Sequence, residues 1–245
     1  MRLCVKHNIQ MTITELAHKH FKGTFITPPA VMQQKLQQIK AVVFDWDGVF
    51  NNGEKSGDNG SVFSEVDAMG TNMLRFNHYL RNKQVPVTAI ITGENNMPAF
   101  LLAKREHFNA VYYKALNKKV ALQHLNSHYH VQPHEILFVF DDVLDFSVAQ
   151  VAGLRIMVGR SSNPLLIQFA IDNNLVDYIT QNEGGKGAVR EASELILALS
   201  NLSNETFANR MQYSDIYQQY ITERNEAGTA YFQINNNELT QQRPI

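Results

Sequence analysis

Four groups of residues have types and positions suited to chemistry. Asp45-Trp46-Asp47-Gly48 sets two carboxylates two residues apart, directly after the apolar run Ala41–Phe44. Thr92-Gly93 closes a second apolar run that begins at Val85. Asp141-Asp142, with Asp145 beyond, follows a third run, Ile136–Phe140. Lys118 follows a fourth, Ala110–Tyr113, at the start of a helical pattern, with Lys119 as its rival. Carboxylates without cysteine or clustered histidine favour a hard cation, Mg²⁺. A metal ion and a lysine neutralise the oxygens of a transferring phosphoryl group, and a hydroxyl donates to one of them. One carboxylate can form an acyl phosphate, splitting the transfer into two steps. A second can protonate the leaving oxygen and later activate water.

These residues converge only if the runs are parallel strands. Each run is short, apolar and β-branched or aromatic, as a buried strand is. Further strands are expected at Leu154–Val158 and Val176–Thr180, and helices at Met69–Asn82, Met97–Phe108, Asn117–Tyr129, Phe146–Ala152, Pro164–Ala170 and Gly187–Leu199. Strands alternating with helices predict an α/β fold: a parallel sheet with helices on both faces. Ligands of such sheets sit at the carboxyl ends of the strands, where all four groups fall. Residues 40–200 form the expected catalytic domain. Residues 1–39 read as a helical extension with helices at Ile13–Phe21 and Ala30–Lys40. Residues 201–245 read as one or two amphipathic helices and a polar tail. Gly60 to Val66 is expected as one arm of a hairpin.

Composition narrows the function classes. The 245 residues are 44 % hydrophobic and 18 % charged, with a formal net charge of −1. That describes a globular chain without the basic footprint of a nucleic-acid binder. Cys4 is the only cysteine, so neither an intramolecular disulfide nor a cysteine-rich zinc site is expected, in keeping with a reducing cytoplasm. The apolar runs fall far short of the ~20 residues of a membrane helix, and the polar Met1–Gln10 does not read as a signal peptide.

Phe44-Asp45-Trp46-Asp47-Gly48-Val49 resembles the first motif of the haloacid dehalogenase superfamily. Ile91-Thr92-Gly93 resembles the second, Lys118 the third, and Asp141-Asp142-Val143-Leu144-Asp145 the fourth. Gly184 to Glu191 and Val66 to Gly70 are similar to segments of the capless 3-deoxy-octulosonate 8-phosphate phosphatases. The resemblance covers roughly residues 40–200. It implies a doubly wound, Rossmann-like sheet with a small β-hairpin flap and no large cap. It implies an Mg²⁺-dependent phosphatase acting on a small phosphorylated metabolite, with sugar and sugar-acid phosphates as the candidate class. By the same resemblance Asp45 is the nucleophile and Asp47 the general acid/base with its carbonyl on the metal. Thr92 holds the phosphoryl group, Lys118 holds nucleophile and phosphate, and Asp141 completes the metal ligands with Asp142 or Asp145 in support. Gly93, Lys186 and Arg190 fall at the substrate. The resembling enzymes are tetramers, so a homotetramer is expected.

The chain departs from that pattern at three places. Asn51-Asn52-Gly53 stands where Thr-Asp-Gly is usual, Glu94 where an arginine is usual, and Phe140 where a glycine is usual. Glu94 would repel a sugar-acid carboxylate, and Phe140 either crowds the metal rim or packs as the last strand residue. Two alternatives follow: a binding or scaffold protein that has lost turnover, or a phosphotransferase. Plain structural roles also stand beside several assignments. A strand-end Asp is often a cap, Asp67 and Gly70 suit a turn, Lys186 and Arg190 suit a helix start, and His124, His128 and His130 suit a solvated helix face.

Overall fold

The computed structural model describes residues 11–55 and 61–243. Its centre is the sheet core β5 (Ile136–Phe140), β2 (Ala41–Phe44), β3 (Val87–Ile91) and β4 (Ala110–Tyr113), all parallel. With β1 at Thr24–Phe25, β6 at Leu154–Met157, β7 at Tyr178–Ile179, β8 at Ala230–Asn235 and β9 at Glu238–Gln242, the full order is β1-β7-β6-β5-β2-β3-β4-β8-β9. Helices between the strands cover both faces, as the alternation predicts.

Strand alternation assigns the core. Val42, Phe44, Ile90, Leu137 and Val139 face one side. There they meet α2 (Pro29–Leu36), α3 (Glu65–Asn82), α4 (Met97–Arg105) and α8 (Ala188–Leu199). Ala41, Val43, Ala89, Ile91, Phe138 and Phe140 face the other, against α5 (Lys119–Tyr129), α6 (Phe146–Ala149) and α7 (Pro164–Asp172). Side chains two apart share a face, so Phe140 stacks on Phe138 at 5.2 Å and meets Phe146 edge-on. It packs as a core residue.

Both extensions add strands to the sheet. In the N-terminal one, α1 (Ile13–His20) is capped by Thr12, and β1 (Thr24–Phe25) pairs antiparallel with β7. The Asp177 carboxylate ties this edge together, accepting from Thr27 Oγ1, Lys35 Nζ and Arg155 Nε. In the C-terminal one, α9 (Ser203–Gln212) and α10 (Asp215–Asn225) precede β8 (Ala230–Asn235) and β9 (Glu238–Gln242). The expected polar tail is therefore a hairpin, and β8 runs parallel to β4. Its signal is present in the sequence: Ala230, Phe232 and Ile234 alternate with Tyr231 and Gln233. Asn236 and Asn237 supply the two left-handed residues of a tight hairpin turn. The Asn and Gln content masked that alternation.

The hairpin arm expected from Gly60 to Val66 does not appear as a strand. Gly60 lies outside the described residues, and Glu65 and Val66 already form the first turn of α3, capped by Ser64. Ser61 Oγ instead bonds the Glu54 carbonyl at 2.6 Å and joins the two legs of the segment. Among the described residues no helix is long and apolar enough to cross a membrane.

Candidate active site

Four strand ends bring the acids, the hydroxyl and the lysine together. The Asp45 amide continues the ladder by donating to the Val139 carbonyl at 2.9 Å, so its carboxylate emerges beside the end of β5. Asp141 follows β5 directly, and Asp145 closes the short 3-10 turn Val143–Asp145. One carboxylate oxygen each from Asp45, Asp141 and Asp145 lies within 4.8 Å of the others. Lys118, just before α5, reaches across from the β4 side. Its Nζ sits 2.7 Å from Asp45 Oδ1 and 2.6 Å from Asp145 Oδ1, with the side chain only 2 % exposed. Lys119, its rival, begins α5 on the surface side and lines an outer groove instead.

Burial sets the electrostatics of this cluster. Desolvation, then the charge of Asp145, push the Asp45 carboxyl up to about 7 against the pull of Lys118. Desolvation, then the charges of Asp45 and Asp145, push Asp141 up to about 8, with Arg160 opposing. Lys118 loses stability as a cation through desolvation, but Asp145 and Asp45 more than offset this and raise its pKa. Asp45 and Asp145 thus share one buried ammonium, and Asp141 meets only the Arg160 guanidinium at 3.4 Å. Asp141 Oδ1 is buried without a hydrogen-bond partner. An oxygen-only donor set, short of positive charge and with an orphaned carboxylate oxygen, fits a hard divalent cation.

Asp47 belongs to a second group. Its carboxylate has partners of its own: Oδ2 accepts from Asn96 Nδ2 at 2.9 Å and pairs with Lys55 Nζ at 3.2 Å. Oδ1 lies 3.0 Å from Ser61 Oγ, whose one proton has the Glu54 carbonyl closer at 2.6 Å. Asn96 Nδ2 also donates to Thr92 Oγ1 at 2.9 Å. Sequence reasoning missed Asn96, Lys55 and Ser61. For Asn96 one signal existed: a polar residue four positions after Thr92, at the entry to α4.

The turn after Asp47 is tightly built. Asn51 Oδ1 accepts from the amides of Gly48 and Gly53, and Asn51 Nδ2 donates to the Trp46 carbonyl. Asn51 thereby holds the turn in place of the threonine usual there. Gly48 has φ +83°, and a Cβ there would collide with Asp141 Oδ2. Only glycine lets the loop approach the acid. Trp46 packs inward, stacked on Phe50 at 4.9 Å. Gly184 presses on the same turn, since its Cβ would fall on the carbonyls of Gly48 and Asn51.

The three expected substrate contacts divide. Gly93 is open: a side chain there would meet nothing beyond its neighbours in the chain. Exposed Lys186 pairs with Glu183 at 2.8 Å, and Arg190 pairs with Glu194 at 2.7 Å. Neither bonds the acid cluster. Asp67 is not a turn residue but lies in α3, where Oδ1 accepts from the Arg190 amide and caps the start of α8. An unforeseen cation takes the rim instead: Arg160 Nη2 lies 3.4 Å from Asp141 Oδ2, and Nη1 donates to the Asn52 carbonyl at 3.3 Å. Its position past β6 carried no motif to flag it. His124 and His128 stack at 5.0 Å on α5, with Tyr112 bonded to His124.

No family model matches the chain. A 3-deoxy-D-manno-octulosonate 8-phosphate phosphatase KdsC of Yersinia pestis is 30 % identical over 171 residues, which span 67 % of this chain and 82 % of that protein. The KdsC of Salmonella typhimurium is 30 % identical over 173 residues, spanning 69 % and 84 %. The chain belongs to the KdsC-like phosphatases of the haloacid dehalogenase superfamily. KdsC-like solved structures share the fold. The Moraxella catarrhalis phosphatase, in complex with magnesium ion, phosphate ion and KDO, is 26 % identical with a TM-score of 0.59. It covers 73 % of this chain and 97 % of its own. A cobalt-bound form from Haemophilus influenzae is 26 % identical with a TM-score of 0.58, covering 71 % and 99 %. These KdsC-like relatives are nearly spanned by the match, while about a quarter of this chain extends beyond it. The chain is accordingly a phosphoric monoester hydrolase by family, and its acid triad could hold a metal ion.

Proposed function

We propose that this chain is an Mg²⁺-dependent phosphatase that hydrolyses a small sugar or sugar-acid phosphate through an aspartyl phosphate on Asp45. The observation that carries this is the buried triad Asp45, Asp141 and Asp145, in which Lys118 bridges Asp45 and Asp145 and Asp141 Oδ1 is left without a partner. Asp45, the backbone carbonyl of Asp47 and Asp141, with Asp145 in support, would hold the ion, which supplies charge neutralisation to the phosphoryl oxygens when bound. Lys118 aligns Asp45 and adds a second positive charge. Asp45 attacks phosphorus while Asp47 protonates the leaving oxygen. Asp47 then takes a proton from the water that cleaves the acyl phosphate. Thr92 donates to a phosphoryl oxygen, and the open backbone at Gly93 leaves space for the group to enter.

The substrate side differs in charge from the usual pattern. Exposed Glu94 repels a carboxylate placed near Gly93, whereas Arg160 offers a cation on the β6 side of the rim. The test is phosphate release from a panel that pairs sugar-acid phosphates, 3-deoxy-D-manno-octulosonate 8-phosphate among them, with neutral sugar phosphates. Activity with Mg²⁺ that EDTA abolishes, and that an Asp45→Asn preparation lacks, is the expected result. Metal-independent turnover, or full turnover by Asp45→Asn, would overturn the proposal. We further place the enzyme in the cytoplasm, since Cys4 alone offers no intramolecular disulfide. Recovery of the native protein outside the cytoplasmic fraction of its source cells would contradict this.

A further inference from the structure

Asn96 stands at the start of α4, where an asparagine ordinarily caps its own helix. Here its side chain makes no cap hydrogen bond. The residue is 1 % exposed, and its amide nitrogen bridges Asp47 Oδ2 and Thr92 Oγ1 at 2.9 Å each. A carboxylate only accepts, so the nitrogen of the amide must face Asp47. That nitrogen has two hydrogens, and the two contacts use both.

The consequence for Thr92 follows from counting. Its hydroxyl oxygen receives a hydrogen from Asn96 and a second, longer one from the Glu94 amide at 3.4 Å. With both acceptor positions filled, the hydroxyl proton must point to a different acceptor. One amide thus fixes both the Thr92 hydroxyl and the Asp47 carboxylate. Lys55 and Ser61 also touch Asp47, but both sit on the loop legs that flank residues 56–60. Asn96, at the entry to α4, bridges Asp47 to Thr92, the residue that follows β3.

We infer that Asn96 is a positioning residue for phosphoryl transfer, acting through Asp47 on the leaving group. The inference rests on the proposed phosphatase function and adds a residue to it. No step of the reaction routes a proton through Asn96.

Leaving-group dependence separates this from a structural role. A nitrophenolate leaves without a proton, whereas a sugar alkoxide needs one, so misplacing Asp47 harms only the second strongly. Asn96→Asp keeps the shape and removes both donors; Asn96→Ala removes the group. Each would be compared with wild type by kcat/KM, which reports on the first chemical step, on p-nitrophenyl phosphate and on the best sugar phosphate of the panel. We expect kcat/KM to fall about 100-fold or more on the sugar phosphate and under about tenfold on the aryl phosphate, from the range for a general acid. Thermal unfolding serves as the fold control. Equal losses on the two substrates in folded variants, or wild-type rates on both, overturn the inference while leaving the phosphatase reading intact. A folded wild-type chain that hydrolyses neither compound with Mg²⁺ overturns both.

Discussion

Replacing Lys118 with methionine keeps most of the side-chain volume and removes the ammonium that Asp45 and Asp145 share. Nζ lies 2.7 Å from one carboxylate and 2.6 Å from the other, in a side chain that is 2 % exposed. In the variant two buried carboxylates lose their cation, and removing one partner of a buried ion pair costs about 3–5 kcal/mol. In a chain of this size ~1 kcal/mol moves Tm by about 2–4 °C, so the metal-free variant should melt roughly 10 °C lower at alkaline pH. The pH dependence has a definite sign. Burial, then the charge of Asp145, already push Asp45 up to about 7 with the ammonium present, and its removal raises that value further. A carboxyl whose folded pKa is raised opposes folding once it ionises, and the penalty fades as falling pH protonates it. The Tm difference is therefore largest above about pH 8 and shrinks toward about pH 5. Mg²⁺ should narrow it at alkaline pH by returning positive charge to the cluster. Calorimetry of EDTA-treated wild type and Lys118→Met at both pH values measures this. A pH-independent difference, or one below ~2 °C at the alkaline value, would refute the reasoning.

Other outcomes follow from the same geometry. Asp141→Asn should weaken Mg²⁺ binding at least about tenfold by calorimetric titration, because a charged oxygen donor is lost. Asp47→Asn should leave Mg²⁺ affinity within about threefold while lowering turnover at least about 100-fold, since its carboxylate faces Asn96, Ser61 and Lys55. The reverse order of affinities would show that the division of roles is wrong. Burial pushes Asp45 up to about 7 and Asp141 up to about 8, so Mg²⁺ must displace protons at neutral pH. Its affinity should rise from about pH 6 to about pH 8.5 with measurable proton release, and a flat profile would contradict the raised values. Finally, the rim carries no large lid among the described residues, so a neighbouring subunit is the proposed cover, in a homotetramer. Light scattering at micromolar protein that found a fully active monomer would remove that proposal.

The catalytic elements were legible in the sequence because each is local. A short apolar run followed by an acid, a Thr-Gly or a lysine needs no distant partner to be recognised. The rule that parallel sheets bind ligands at their carboxyl ends did the rest. The helix alternation likewise foretold the two-faced core, down to Phe140 as one of two options. What stayed hidden depended on pairing between distant segments. Strand β8 is polar enough on paper to pass for a tail, and only its place beside β4 buries Tyr231, Phe232 and Ile234. Strand β1 has two residues and exists because Asp177 and β7 receive it. Asn96 and Arg160 carry no motif, since their roles lie in what a folded neighbour presents to them: two acceptors for one amide, and the edge of an acid cluster for one guanidinium. Lys186 and Arg190, expected at the substrate by resemblance, make local ion pairs three and four residues along the chain, to Glu183 and Glu194. Residue order determined which groups could do the chemistry. The direction of each side chain, and hence the split between the Asp45–Asp141–Asp145 triad and an Asp47–Asn96–Thr92 cluster, was decided only by packing, because hydrogen-bond partners are chosen by distance in space and not along the chain.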